Sequence, residues 1–179
     1  MPATLHLQTN ALHPEIEHLL AMLEEAYSRA AWHGPNLRGS LRGLSAHNAA
    51  WCPAKGRHNI WEIAVHAAYW KYAVWRRLIG EKRGSFALKG SNWFVRPPVG
   101  KNQGLPHEKT WLADVTLLAE EHQRLKAAVT AFDPECLDRP AKSSKSTARR
   151  LIVGVAFHDV YHAGQIQLIK RLMRTTKAG

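Results

Sequence analysis

Four separate segments of this chain carry apolar residues at alternating three- and four-residue intervals, the period of a helix with one buried side. From Pro14 to Trp32 the stripe is Ile16, Leu19, Leu20, Leu23 and Ala26/Tyr27; His33-Gly34-Pro35-Asn36 follows as a stop. From Asn59 to about residue 79 it is Ile60, Ile63, Ala67, Trp70, Val74 and Leu78, with Asn59 and Glu62 spaced as a capping box and Gly80 to Gly84 marking the end. From His107 to Phe132 it is Trp111, Val115, Leu118, His122, Leu125 and Val129, ended by Asp133-Pro134. From about Thr147 to residue 174 it is Leu151, Val155, His158, His162, Ile166 or Ile169, and Leu172, after an exposed lead of Lys142 to Ser146.

Four such segments without a convincing strand predict an all-α four-helix bundle. The connections are long. Leu37 to Arg57 is broken by Gly and Pro and predicts one or two short accessory helices. Ser85 to Pro106 is polar but contains Trp93, Phe94, Pro97 and Pro98, the composition of a covering loop. Connections of this length permit an order other than adjacent hairpins. The 179 residues suit one domain, residues 1–179, with flexible ends.

Composition narrows the setting. Cys52 and Cys136 are far apart and form neither a CxxC pair nor a disulfide framework, which favours a reducing cytoplasm. No basic leader precedes an apolar run, and no run is long enough to span a bilayer. The formal charge of +11 attracts anions, yet the basic residues are distributed, with enrichments in Lys71 to Lys109 and Arg139 to Arg150. No nucleic-acid recognition motif accompanies them, so the charge predicts a solvated face or a preference for small anions rather than specific nucleic-acid binding.

Within the last helix, HDVYHAGQ sets His158 and His162 four residues apart, about 6 Å along the axis and on one face. Two imidazoles so placed can share a divalent ion, or be hydrogen-bonded core residues. A third ligand must come from elsewhere. His66 is the best-placed candidate, at the margin of the second stripe beside Tyr69 and Trp70; its alternative is a histidine satisfied by Glu62 or a backbone carbonyl. His122 competes as ligand, base or interface-edge residue. His58 lies too far below His66 for the same ion. Asp159 occupies the place of the glutamate in HExxH, but turned about 100° from the ligand face, so it reads as a charged edge residue or an acceptor supporting a ligand rather than a peptidase base.

Taken together, NIWEIAVHAAYW (Asn59 to Trp70), GVAFHDVYHAGQI (Gly154 to Ile166) and AAWCPAKGRHN (Ala49 to Asn59) resemble the DinB-like family, within the wider DinB/YfiT-like metal-binding bundles. The resemblance implies a four-helix bundle of unusual connectivity with His66, His158 and His162 around one metal ion; the positions of Glu62, Tyr69, Asp159 and Gln165 make them candidate supports for those ligands. Gly164 would allow close helix packing, and Gln165 would act near bound water or between helices. Zinc or nickel suits such ligands, with iron or manganese as alternatives. The resemblance also implies a metal-assisted transfer of a low-molecular-weight thiol to an electrophile. A hydrolase using metal-bound water and a noncatalytic metal-binding or stress-associated protein are the alternatives. It further implies a homodimer, for which the tryptophans at 32, 51, 61, 75, 93 and 111 offer candidate surface.

Overall fold

The computed structural model describes residues 12–97 and 107–178. Expectations about the chain ends and about Pro98 to Pro106 lie outside the described residues. Six α-helices and no extended strand are present among them: α1 (Pro14–Tyr27), α2 (Leu37–Leu41), α3 (Ala46–Ala50), α4 (Ile60–Ile79), α5 (Glu108–Thr130) and α6 (Ala148–Ala178). A single 3-10 turn, Pro134–Cys136, lies between α5 and α6.

The ends of α4 follow from local chemistry. Asn59 accepts from the Glu62 amide at 2.8 Å while Glu62 reaches back to the Asn59 amide at 3.4 Å, the capping box expected from the sequence. Gly80 closes the helix at φ 79°, a left-handed conformation that costs a residue with a Cβ. Elsewhere the bounds differ from expectation. α1 stops at Tyr27 rather than near Trp32, because the Ser28 and Arg29 amides both turn back to the Glu24 carbonyl and the Asn36 amide takes the Arg29 carbonyl at 2.6 Å. α6 runs past residue 174 to Ala178.

The long helices form a ring in which α1 packs on α5 and α6, and α4 packs on the same two. α1 therefore lies diagonal to α4, and α5 diagonal to α6. Two of the three long connections cross the bundle instead of forming hairpins. The first is filled by α2 and α3, which pack on α6 and on α4 and α5 respectively, so the accessory helices act as wedges.

α4 is buried on most of its circumference: Ile60, Trp61, Ile63, Ala64, Val65, Ala67 and Ala68 are all at most 2% exposed. Its many alanines let neighbouring helices close in on several sides. Trp61 and Trp111 meet edge to face in this core, and the Trp61 indole donates to Asp114 at 2.6 Å. Trp75 is also buried, whereas Trp32 is fully exposed, so these tryptophans do not make one continuous surface for a partner. Leu172, expected to point inward, is 42% exposed.

A polar seam crosses the interior. Lys71 of α4 and Asp159 of α6 form an ion pair with both side chains fully buried. Lys71 also lies over the Tyr27 ring, and Tyr27 stacks on His122 at 3.8 Å. His122 Nε2 faces Glu24 at 3.4 Å, so this histidine belongs to the core between α1 and α5 rather than to an interface edge.

Candidate metal centre

α4 and α6 bring three histidines together across a sequence separation of 92 residues. His158 Nε2 lies 3.1 Å from His66 Nε2 and 3.0 Å from His162 Nε2. Each imidazole offers one nitrogen to a group whose ligand atoms all fall within 4.8 Å of one another. His66 and His162 are buried and His158 is half-buried.

Hydrogen bonds set which nitrogen faces the centre. His66 Nδ1 lies 2.7 Å from the Asn92 carbonyl and His162 Nδ1 lies 2.7 Å from Gln165 Oε1. Both partners are oxygen acceptors, so each Nδ1 carries the proton and each Nε2 presents a lone pair. Burial pushes all three imidazoles toward the neutral form: His158 falls to about 3, helped by its two neighbours and Lys71, and His162 to about 4 against the opposing Gln165 bond. His66 is lowered by the same burial, partly offset by Asn92.

The donor set fits a divalent cation. Nitrogen ligands at about 2.0 to 2.1 Å from an ion stand roughly 2.9 to 3.4 Å apart for angles between octahedral and tetrahedral. The two distances to His158 lie within that window. Without a cation, converging lone pairs repel unless His158 shares one proton between its neighbours. His158 Nδ1 is buried without a hydrogen-bond partner whether Nε2 carries that proton or faces a cation.

Aromatic rings wall the centre. Trp93 is sandwiched between His66 at 3.8 Å and His58 at 3.6 Å, nearly parallel to both. Trp70 meets His66 edge-on and donates its indole N–H to Asn92 Oδ1 at 3.0 Å. Asn92 thus orients His66 with its carbonyl and Trp70 with its side chain. It does so at φ 64°, a region Asn tolerates better than most residues. The segment is pinned further along, where Asn59 donates to the Arg96 carbonyl at 2.6 Å and Arg96 donates to Asp114 at 2.6 Å.

The supporting residues expected from the sequence divide sharply. Gln165 holds His162 directly, and its amide nitrogen donates to the Tyr161 hydroxyl at 2.9 Å, so its bonds stay within α6 rather than running between helices. Glu62 pairs with His58 at 2.8 Å instead of His66 and accepts from the Arg96 amide at 3.4 Å, so it acts on the centre through the His58–Trp93–His66 stack and the loop that carries Trp93. Tyr69 packs on Phe86 and Phe94, with no ring contact to His66. Asp159 is no edge residue: it points into the bundle against Lys71, and burial raises its pKa to about 6 despite that lysine. His122 lies in the separate polar seam. Gly164 is exposed with nothing of its own chain near where a Cβ would sit, so it makes no close packing inside the bundle.

Asn92 and Tyr161 were not singled out by spacing, and His58, set aside as too distant to share the ion, instead stacks on Trp93. Only the aromatic content of the long loop signalled that Trp93 covers something. The cleft above the histidines has a volume of about 880 Å³ and is also lined by Arg57, Ile63 and Leu168.

No helix is long and apolar enough to cross a membrane among the described residues. Neither a curated protein nor a solved structure matches the chain. The family model described as the DinB superfamily matches residues 29–166, a span that takes in both histidine-bearing stretches and the connection between them. With that span covering most of the sequence, the chain belongs to the DinB superfamily.

Proposed function

We propose that His66, His158 and His162 hold one divalent ion, zinc or nickel before iron or manganese, and that the cleft above it brings a low-molecular-weight thiol to an electrophile. The observation that carries this reading is the convergence of three neutral Nε2 atoms at the floor of an open cleft. A purely structural site would be enclosed on every side.

When bound, the ion supplies positive charge that favours a thiolate over a thiol at neutral pH. The chain does the rest. The Asn92 carbonyl and Gln165 hold two imidazoles in the ligating tautomer, and Trp93 covers one face of His66. Ile63 and Leu168 offer apolar wall to the electrophile, while the exposed Tyr161 hydroxyl reaches the same cleft. In the transfer the thiol proton passes to solvent, sulfur bonds to the electrophilic carbon, and the leaving group departs with its electron pair. No oxidant or reductant is consumed.

The test is elemental analysis of gently purified protein together with turnover. Wild type should carry one divalent ion per chain, His162→Ala should lose most of it while keeping its helical circular dichroism, and thiol consumption with a panel of electrophiles should follow the metal. Unchanged metal in His162→Ala overturns the assignment. Ester hydrolysis without thiol use would favour the hydrolytic reading, and a metal-loaded protein inert in both assays would favour a noncatalytic role.

The expected homodimer is proposed on a different surface from the tryptophans. Phe157, Tyr161, Leu168 and Leu172 are 63, 63, 59 and 42% exposed on α6, and the last three also line the histidine cleft, so the partner would sit at its rim. At 3.6 residues per turn they fall within about 60° of arc. Gly154 and Gly164 share that stripe, with open space around both. The free cysteines suit the cytoplasmic setting proposed for the protein.

A further inference from the structure

A second depression lies between α4 and α6. Its volume is about 400 Å³, and Arg77, Ser144, Ser146 and Arg150 line it against the apolar walls of Trp70 and Leu151. Trp70 and His158 line this depression and the histidine cleft alike. The two spaces therefore share a wall made of one ligand and one indole. No Asp or Glu lines either of them among the described residues.

Arg77 is half-buried and Arg150 exposed, and neither is tied up as Arg149 and Arg96 are. Arg149 is tied to Asp138 at 2.8 and 3.0 Å and also pairs with Glu15, and Arg96 is tied to Asp114. Arg77 and Arg150 have no carboxylate partner among the described residues, and the side-chain bond Arg77 makes is to the Ala73 carbonyl at 2.8 Å. Half-buried Arg77 is also pushed below its ordinary pKa by burial and by Arg76 and Arg83 beside it, so its surroundings lack negative charge.

The serines add donors. Ser144 Oγ accepts from the Ser146 amide at 3.0 Å, which leaves its own hydroxyl proton to donate, and the Ser146 hydroxyl makes no hydrogen bond among the described residues. The lead into α6 is thus not wholly exposed as its composition suggested: Ser144 and Ser146 are half-buried, and Ser143, at φ 57°, turns the chain beside them.

We propose that this depression is an oxyanion subsite, taking the phosphate or carboxylate group of a substrate whose reacting atom lies over the three histidines. The placement of the reacting atom rests on the function proposed above; the subsite itself does not. Guanidinium groups match oxyanions with paired N–H donors, and a concave, partly apolar wall weakens the competing hydration. An anion there would neutralise two cations that the fold leaves without counter-charge.

Amide chemical-shift mapping tests the subsite with two probes, inorganic phosphate and acetate, on metal-free and metal-loaded protein. Saturable shifts at Ser144, Ser146 and Arg150 are expected in both metal states. The double variant Arg77→Gln/Arg150→Gln should bind the probe about tenfold more weakly or worse, with metal content equal to wild type. Response to phosphate alone assigns the subsite to phosphate esters, and response to both probes extends it to carboxylates. Unsaturable shifts scattered over exposed lysines, meaning an adventitious ion only, overturn the proposal. So do shifts unchanged in the double variant, or shifts that appear only with metal and centre on the histidines. Because metal is measured in the same samples, a protein that holds no ion yet binds phosphate at Ser144 to Arg150 separates failure of the metal reading from failure of this one.

Discussion

The histidines carry their meaning at the level of single nitrogen atoms. His158 and His162 were legible because a four-residue spacing fixes a shared face whatever the helix packs against. His66 was named from its place at the margin of a stripe, but joining it to residues 92 positions later needed the family resemblance, since nothing local links them. Asn92 was invisible for a different reason: its contribution is a backbone carbonyl, which any residue has, delivered through a loop whose path depends on tertiary contacts. Gln165 gives the sharpest single-residue expectation. Its oxygen fixes the proton on His162 Nδ1, and Gln165→Leu should lower metal affinity by about 10- to 100-fold, while Gln165→Glu should retain most of it by keeping an acceptor. Competition against a chromophoric chelator reads the difference, and equal affinities for wild type and the leucine variant would remove Gln165 from any orienting role.

At the scale of elements, α4 and α6 are held in register by the buried Lys71–Asp159 pair, one residue from His158. Asp159 was misread because its neighbour in sequence is a candidate ligand. The 100° turn per residue places it on another face, and only the packing reveals that this face is interior. Asp159 Oδ1 has no hydrogen-bond partner, so the pair is incompletely compensated. Lys71→Met should destabilise the fold by about 3 to 5 kcal/mol by stranding a buried carboxylate, and Lys71→Met/Asp159→Leu should recover most of that loss. Denaturant unfolding of the two variants decides it; a double variant as unstable as the single would mean the cost lies in packing. The capping box of α4 was readable because its donors and acceptors lie within four residues, whereas the early end of α1 depends on Asn36 returning from beyond the turn.

For the whole molecule, helical class followed from periodicity, but the ring order did not, because amphipathic stripes say that a face is covered without saying by which helix. The same limit applied to quaternary structure. Tryptophan count suggested a surface, while the fold spends Trp61, Trp75 and Trp111 on its own core and leaves an exposed apolar stripe on α6. Size-exclusion chromatography with light scattering should give twice the mass of one chain, and Leu168→Glu should return the monomer, since a charge at that exposed position costs the isolated chain little. A wild-type monomer at micromolar concentration would overturn the dimer.

The separation of 92 positions between His66 and His158 would give a bound ion a role in folding as well. Any ion gripping both ends ties off a loop containing about half the chain, a noncovalent staple whose grip disappears when the polypeptide unravels. Resistance to heat would then rise with the logarithm of free ion concentration, so a chelator titration followed by melting temperature reports on occupancy independently of any turnover.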